Sequence, residues 1–256
     1  MLLFDQIIFG PIHSRRLGLS LGVNLLPVDA KICSFDCIYC ECGYNTTMHD
    51  SPIPTRQQVR ETLGAKLQEM IAEGLIPDVI TFAGNGEPTL HAEFDGIIDD
   101  TIALRNKYCP TAKVSVLSNS TRINKPNVFT ALNKVDNNIL KFDSAIDRTM
   151  KLINCPVGKN IDVAWFIDHL KKFDGRLIIQ TMFLRGEFKG EQFDNTSDIE
   201  VDAWLSAMAE IRPQQIMIYS LDREAPTKTL QKITTEELDV IAEKARERGF
   251  EVSVAG

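Results

Sequence analysis

Short apolar runs rich in β-branched residues alternate with helical patterns along most of this 256-residue chain. Parallel strands need such alternation, because a crossover helix, unlike a tight turn, can return the chain to the start of a parallel neighbour. The pattern therefore predicts an α/β fold built on a parallel sheet. The predicted strands are Leu17–Leu25, Asp78–Phe82, Lys113–Leu117, Ile139–Phe142, Arg176–Phe183, Gln215–Tyr219 and Phe250–Val254.

Three segments between these strands repeat apolar residues at helical spacing, which indicates amphipathic helices packed on the sheet. Their apolar faces are Val59, Leu63, Leu67, Met70 and Ile71; Phe94, Ile97, Ile98 and Ile102; and Leu238, Ile241, Ala242 and Ala245. Thr234 and Glu237 have the spacing of a capping box, so the last helix should begin there. About six strand–helix units are too few for a closed eight-stranded barrel. They fit an open barrel or a doubly wound sheet, and either fold places ligands at the carboxyl ends of its strands.

Composition limits the class of protein. Apolar residues make up 44% of the chain, enough for a buried core, and no linker or repeat divides it, so we expect one domain over residues 1–256. No run approaches the ~18 apolar residues of a membrane span, and the start MLLFDQIIFG lacks the pattern of a signal peptide. We therefore expect a cytoplasmic protein without membrane contact. The net charge of −7 disfavours nucleic acid, whose binding depends on Lys and Arg.

Four of the six cysteines are clustered after the first predicted strand. Cys33, Cys37 and Cys40 form a CX3CX2C run, and Cys42 follows it. In a chain without an export signal, such clustering favours metal ligation over disulfides. Three thiolates on one loop can hold three corners of a [4Fe–4S] cluster and leave its fourth iron open. Spacing alone leaves two other interpretations: a zinc site completed by Cys42 or His49, and a chance grouping of unreactive thiols.

An aromatic residue, Tyr39, directly precedes the third cysteine. This arrangement resembles the signature of the radical S-adenosylmethionine (radical SAM) superfamily. The resemblance implies an open partial (β/α)6 barrel, a cluster loop at residues 30–45, a [4Fe–4S] cluster bound by Cys33, Cys37 and Cys40, and Tyr39 beside the cofactor. It also implies that S-adenosylmethionine (SAM) chelates the open iron, and that a reductant such as flavodoxin or ferredoxin supplies the electron for its cleavage.

The segment GNGEP follows the second predicted strand. Its glycines allow backbone groups to approach a ligand closely, and Glu87 adds a negatively charged acceptor. It is not a dinucleotide fingerprint, because Thr89 stands where the third glycine would be, and on its own it could be an ordinary strand-to-helix turn. It resembles the superfamily's glycine-glycine-glutamate segment. That resemblance implies that the methionine part of SAM is contacted by Gly84, Asn85, Gly86 and Glu87.

Polar side chains also end the next strands: Ser118 and Asn119 first, and then Asp143. The carboxyl ends of parallel strands form the ligand-binding edge, although these residue types are also common in turns. Similar positions in the superfamily bind the ribose hydroxyls and the carboxylate of SAM, which implies that role here. Gln180 and Tyr219 on later strands are candidates for the adenine end, and a buried hydrogen-bonded core position would explain both equally well.

Further motifs resemble a subgroup of short radical SAM proteins described as wyosine-synthetase-like. They are Gly10–Gly18, Ser20–Gly22, Ile153–Pro156 and Ile218–Arg223. Cys155 departs from the subgroup, which has arginine before this proline, and we interpret it as a small apolar filler rather than a substrate-contacting thiol. Arg16, Arg223 and His13 are candidates for gripping an anionic group of a substrate, with surface or packing roles as the alternative.

The resemblance implies that a 5′-deoxyadenosyl radical abstracts a hydrogen atom from a peptide, a protein or a small molecule; a glycyl-radical activase is one form of such an enzyme. No catalytic side chain is identified by the sequence. A tRNA-modifying wyosine-type enzyme is an alternative, opposed by the charge of −7 and by the lack of a second cysteine group. An alternative of another class is a metal-stabilised binding module without chemistry, which predicts a colourless zinc protein.

Overall fold

The computed structural model describes residues 2–14, 17–46, 49–158 and 161–255. Strands and helices alternate along these residues. The strands are β1 Ile8–Ser14, β2 Gly18–Val23, β3 Val79–Phe82, β4 Lys113–Ser118, β5 Asn137–Lys141, β6 Ile178–Met182, β7 Leu184–Phe188, β8 Glu191–Asp194, β9 Gln215–Tyr219, β10 Leu230–Lys232 and β11 Val252–Ala255. The helices are α1 Arg56–Ala72, α2 Phe94–Tyr108, α3 Pro126–Leu132, α4 Asp147–Asn154, α5 Val163–Leu170, α6 Asp198–Ile211 and α7 Thr235–Arg246.

Eight strands form the main sheet, in the order β1-β2-β3-β4-β5-β6-β9-β11. β1 is antiparallel to β2, and every other neighbouring pair is parallel. At least one helix lies in each connection between parallel neighbours, as is usual for crossovers between parallel strands. β1 and β11 remain as two edges, so the sheet curls into a half-barrel that does not close. The predicted α/β class and open partial barrel are confirmed.

Burial explains why these strands could be found from the sequence. β3 and β6 are buried along their whole length, because helices or the barrel interior cover both faces, and such strands consist of continuous apolar and β-branched runs. The predicted start of α7 is also correct: the Thr234 side chain accepts a hydrogen bond from Glu237 N–H, and the Glu237 carboxylate accepts one from Thr234 N–H.

A small antiparallel sheet, in the order β10-β7-β8, was not predicted. Its strands carry exposed polar residues, as in Glu191–Asp194 with the sequence EQFD, and therefore lack an apolar run. β1 was also missed, because it is an edge strand whose side chains are largely exposed or half-buried. In the described part of the chain, no helix combines the length and apolar character that crossing a membrane requires.

Candidate cofactor site

The cysteine loop, residues 30–45, is held on two sides by backbone hydrogen bonds. On one side, Ile32 N–H donates to the carbonyl oxygen of Asn85 at 2.9 Å, in the turn after β3. On the other side, Asp36 N–H donates to the carbonyl oxygen of Asn154 at 3.0 Å, at the end of α4. These contacts place the loop across the carboxyl ends of the parallel strands.

Two side chains also brace the loop from within. The Lys31 ammonium group is buried, and its Nζ donates to the Gly43 carbonyl oxygen at 2.8 Å and to Asp36 Oδ1 at 3.3 Å. Asn45 Nδ2 donates to the Cys33 carbonyl oxygen at 3.1 Å. The loop is therefore folded around its own backbone, and its conformation does not depend on the three thiols alone.

Cys33, Cys37 and Cys40 line one cavity. Burial raises the pKa of Cys33 to about 12 and that of Cys37 to about 11, so both thiols hold their protons at neutral pH unless a cation replaces them. Burial acts to lower the pKa of the Lys31 ammonium, but the negative charge that Cys40, Cys33 and Cys37 carry once deprotonated raises it overall. This set of buried sulfurs beside a fixed positive charge suits a metal cluster with thiolate ligands.

Of the two side chains considered as a fourth ligand for zinc, Cys42 lies within hydrogen-bonding distance of Cys40, whereas His49 contacts Ser51. The Cys42 thiol is buried and donates to the Gly84 carbonyl oxygen at 3.4 Å, while His49 is exposed, with its Nδ1 2.9 Å from the Ser51 carbonyl oxygen. Within residues 2–14, 17–46, 49–158 and 161–255, no three His, Cys, Asp or Glu side chains converge to hold a metal ion. In a four-iron cluster each thiolate binds a different iron, so its ligands stand farther apart than the ligands of one ion.

The turn after β3 requires its glycines. Gly86 has φ +132°, and a Cβ there would lie 1.8 Å from the Ile32 carbonyl oxygen. Gly84 has φ +152°, and its Cβ would lie 2.5 Å from Asn24 Oδ1. The sequence predicted glycines that let a ligand approach the backbone; the structure shows that the chain's own cysteine loop also approaches it.

Glu87 presents a buried carboxylate to the cavity. Oε1 accepts hydrogen bonds from Thr89 N–H at 3.1 Å, Thr89 Oγ1 at 2.6 Å and Ser118 Oγ at 2.8 Å. Oε2 accepts one from Asn119 N–H at 2.6 Å. Burial raises the pKa of Glu87 in spite of these donors. Among the described residues, Oε2 receives only this single hydrogen bond, so it keeps acceptor capacity toward the cavity.

Asn119 joins the end of β4 to the cysteine loop. Its Nδ2 donates to Cys33 Sγ at 3.3 Å and to Ser34 Oγ at 2.9 Å, and its Oδ1 accepts from Thr121 N–H at 3.1 Å. The side chain thus contacts a cysteine sulfur, a position that the sequence motif did not predict.

A hydrogen-bonded network of Tyr39, Asp143, Lys141 and Asn154 supports the cavity. The Tyr39 hydroxyl donates to Asp143 Oδ2 and accepts from Lys141 Nζ at 2.7 Å, and Asn154 Nδ2 donates to the same Asp143 oxygen at 2.6 Å. Burial acts to lower the pKa of Lys141, but Asp143 and Tyr219 hold it above the usual value. The network therefore holds the Lys141 ammonium group, which is mostly buried, against the hydroxyls of Tyr39 and Tyr219.

The cavity has a volume of about 310 Å³ and lies at the carboxyl ends of β3, β4, β5, β6 and β9. This size is at the lower end of the range for small-molecule sites. Most of the residues predicted from the sequence line it together: Cys33, Cys37, Tyr39, Cys40, Gly84, Gly86, Glu87, Ser118, Asn119, Gln180 and Tyr219. Residues separated by up to 186 positions in the chain (Cys33 to Tyr219) thus meet at one edge of the sheet.

Two predicted residues do not line the cavity. The Asn85 side chain is fully buried, and its Nδ2 donates to the carbonyl oxygens of Phe4 and Pro27, each at 2.9 Å. It fastens the segment before β1 rather than facing a ligand. Asp143 lies outside the lining and bonds to Tyr39, which belongs to it.

The candidates for anion binding are scattered. Arg223 lines the cavity, and its Nη1 donates to Glu41 Oε2 at 2.7 Å in an exposed ion pair. His13 is exposed on β1. Arg16 lies outside the described residues.

Sequence reasoning missed Lys31 and Lys141, which both line the cavity. Isolated lysines are usually surface residues, so neither attracted attention. A signal was present for Lys141: it stands two residues before Asp143, and residues separated by two positions share one face of a strand.

Residues 28–196 match the Radical SAM superfamily. The chain belongs to this superfamily. The resemblance predicted from the cysteine run is confirmed at this level, and membership of the radical SAM superfamily implies SAM and an iron–sulfur cluster as cofactors. The UPF0026 protein of Helicobacter pylori (strain J99 / ATCC 700824) is 33% identical over 187 residues, covering 70% of this chain and 57% of that protein. The chain covers between 32% and 57% of the length of the first relatives that it matches.

Solved radical SAM structures share the fold. A radical SAM methyltransferase from Sphaerobacter thermophilus superposes with a TM-score of 0.67 at 12% identity, covering 92% of this chain and 65% of that chain. TYW1 with a bound lysine–pyruvate adduct gives 0.62 at 16% identity, covering 89% of this chain and 73% of that chain. At these identities the likeness establishes the half-barrel and leaves the substrate open.

Proposed function

We propose that this chain holds a [4Fe–4S] cluster on Cys33, Cys37 and Cys40 and cleaves SAM reductively. The observation that carries the proposal is that these three sulfurs line the same cavity as the Glu87 carboxylate, at the ligand-binding edge of the half-barrel. Thiolates are the ligands that iron–sulfur clusters require.

When bound, the cluster supplies the electron that splits SAM into methionine and a 5′-deoxyadenosyl radical, which takes a hydrogen atom from the substrate. The chain supplies charge and position. Lys31 compensates the negative thiolates, because its ammonium group is buried beside them. The backbone at Gly84 and Gly86 borders the cavity where the methionine part would lie, and Glu87 Oε2 would accept a hydrogen bond from its ammonium group.

Ser118, Asn119, Gln180 and Tyr219 line the remainder of the cavity, where the ribose and adenine would lie. Asp143 acts through Tyr39, which it orients by a hydrogen bond. We propose a peptide, a protein or a small molecule as the substrate rather than a nucleic acid, because the net charge of −7 gives the chain no general attraction for phosphates.

Anaerobic reconstitution tests the cluster. The wild-type protein should turn brown and bind about four irons. Cys33→Ala, Cys37→Ala or Cys40→Ala should each lose the cluster, whereas Cys42→Ala, the matched control in the same loop, should retain it. Equal loss in Cys42→Ala would contradict the three-ligand assignment, and a colourless zinc-loaded protein would favour the binding module.

SAM cleavage tests the chemistry. With dithionite, the reconstituted protein should release methionine and 5′-deoxyadenosine slowly even without substrate. Glu87→Gln should weaken SAM binding and leave the iron content unchanged, because the carboxylate accepts from the ligand and does not bind iron. SAM affinity that stays the same in Glu87→Gln would remove this role.

A further inference from the structure

Asn154 is buried beside the cysteine loop, and the proposed function gives it no role. It is the last residue of α4, only 1% exposed, and it belongs to the sequence motif Ile153–Pro156. Its Nδ2 lies 3.5 Å from Cys37 Sγ and 2.6 Å from Asp143 Oδ2. The carboxylate can only accept, so the amide turns its nitrogen toward Asp143, and its second hydrogen lies within reach of Cys37 Sγ and of the Tyr39 hydroxyl, which is 3.3 Å away.

The backbone fixes this contact. Asp36 N–H donates to the Asn154 carbonyl oxygen at 3.0 Å, and Ile38 N–H donates to the Ile153 carbonyl oxygen at 3.0 Å. These bonds flank Cys37 on both sides. The end of α4 and the Cys37 segment therefore move together, and the amide stays within reach of the sulfur.

We infer that Asn154 is a positioning residue that tunes the proposed cluster through a hydrogen bond to the Cys37 thiolate. A donor on a ligand sulfur stabilises the more negative, reduced state, and so raises the reduction potential. This inference rests on the proposed function. Asn119 makes the equivalent contact to Cys33 at 3.3 Å, so two of the three ligand sulfurs carry an asparagine amide.

The test is a redox titration of the reconstituted protein, in which EPR monitors the reduced cluster and gives its midpoint potential. Asn154→Leu removes the donor at similar volume. The variant should hold as much iron as the wild type, and its midpoint should become more negative. We expect reduction at a fixed potential to be about tenfold less favourable, which for a one-electron couple is ~59 mV.

Asn138→Leu is the matched control. Asn138 is another buried asparagine, on β5, and its Nδ2 donates to the Arg176 carbonyl oxygen at 3.4 Å rather than to a sulfur. Its midpoint should equal that of the wild type. An unchanged midpoint in an Asn154 variant that holds the cluster would overturn the inference. A wild-type protein without a four-iron cluster would instead refute the proposed function.

Two further measurements cover a variant that fails to assemble. If Asn154→Leu holds no cluster, the midpoint potential of Asn154→Ser is measured instead. The shorter serine side chain removes the donor from Cys37 but leaves a hydroxyl that faces Asp143. If neither variant holds a cluster, pulsed EPR of the reduced wild-type protein with ¹⁵N-labelled asparagine decides. The same measurement on Asn119→Gln, whose amide carries no label, isolates Asn154: one coupled amide nitrogen supports the inference, and none overturns it.

Discussion

At the scale of single residues, Gly86 is the tightest point of the site. The missing side chain lets the turn after β3 pair with the cysteine loop, where Glu87 N–H donates to the Ile32 carbonyl oxygen at 3.1 Å. That same oxygen would lie 1.8 Å from a Cβ on residue 86. The Ile32 backbone could move away from such a Cβ only by breaking its hydrogen bond with Glu87, whereas the end of a flexible side chain could simply rotate.

Gly86→Ala should therefore destabilise the metal-free protein by more than about 2 kcal/mol, through strain and loss of the loop contact. The control is Gly74→Ala, because Gly74 also has a positive φ, +73°, but nothing lies within 4 Å of its Cβ position. That change should cost only about 1 kcal/mol. Urea unfolding measures both values, and equal costs would show that the contact with Ile32 is unimportant.

Part of the site was predictable at this scale because its residue types are distinctive. Three cysteines at fixed spacing and a glycine-rich turn can be recognised in the sequence without a structure. Lys31 and Lys141 cannot, since their roles arise from their positions around the cavity, and those positions depend on the fold. Asn85 shows the reverse case: its motif predicted a ligand contact, and its side chain holds Phe4 instead.

At the scale of elements, an ion pair ties α1 to α2. Arg56 Nε donates to Asp100 Oδ2 at 2.6 Å and Arg56 Nη2 donates to Asp100 Oδ1 at 3.0 Å, a bidentate arrangement. The hydrogen bond from Arg56 lowers the pKa of Asp100 below its ordinary value. This pair joins two helices on the outer face of the half-barrel.

A lowered pKa in the folded state stabilises the protein above the unfolded pKa of about 3.9, and this contribution is lost as pH falls through the folded value. Asp100→Asn should therefore be less stable than the wild type at pH 7, and the difference should shrink as the pH falls below about 4. Urea unfolding at both pH values measures this. The control is Asp99→Asn, because Asp99 lies next to Asp100 on α2 and forms an exposed ion pair with Lys134. This change should have a smaller effect on stability at pH 7, and an equal effect would contradict the stabilising role of the Arg56–Asp100 pair.

The elements divide into predictable and unpredictable ones by burial. The central strands are apolar because both of their faces are covered, so their positions follow from the sequence. β7, β8 and β10 pair only with one another and carry charged residues, so their pairing depends on neighbours distant in the sequence. The order of strands and helices along the half-barrel can therefore be predicted from local sequence patterns. The small antiparallel sheet cannot.

At the scale of the whole molecule, charge decides between substrates. The chain carries 28 basic and 35 acidic residues, and both lysines that line the cavity, Lys31 and Lys141, donate hydrogen bonds to protein partners. Affinity for tRNA would need a local basic patch working against this overall field.

We expect no specific tRNA binding at physiological ionic strength, and activity that survives nuclease treatment of the substrate pool. A filter-binding titration of bulk tRNA at ~150 mM salt measures this, since surface charges are already largely screened there. Submicromolar, saturable binding would overturn the argument from charge and favour a tRNA-modifying enzyme.

The pairing of the cysteine loop on both sides also bears on how the proposed cluster would be inserted. The amides of Ile32, Asp36 and Ile38 are already bonded within the chain, so the loop loses its conformational freedom during folding and not during maturation. Hydrogen–deuterium exchange at these amides should be slow in iron-free protein, because exchange requires local opening. Under the proposed function, the cluster would then meet ligands already in place, and its insertion would cost little reorganisation.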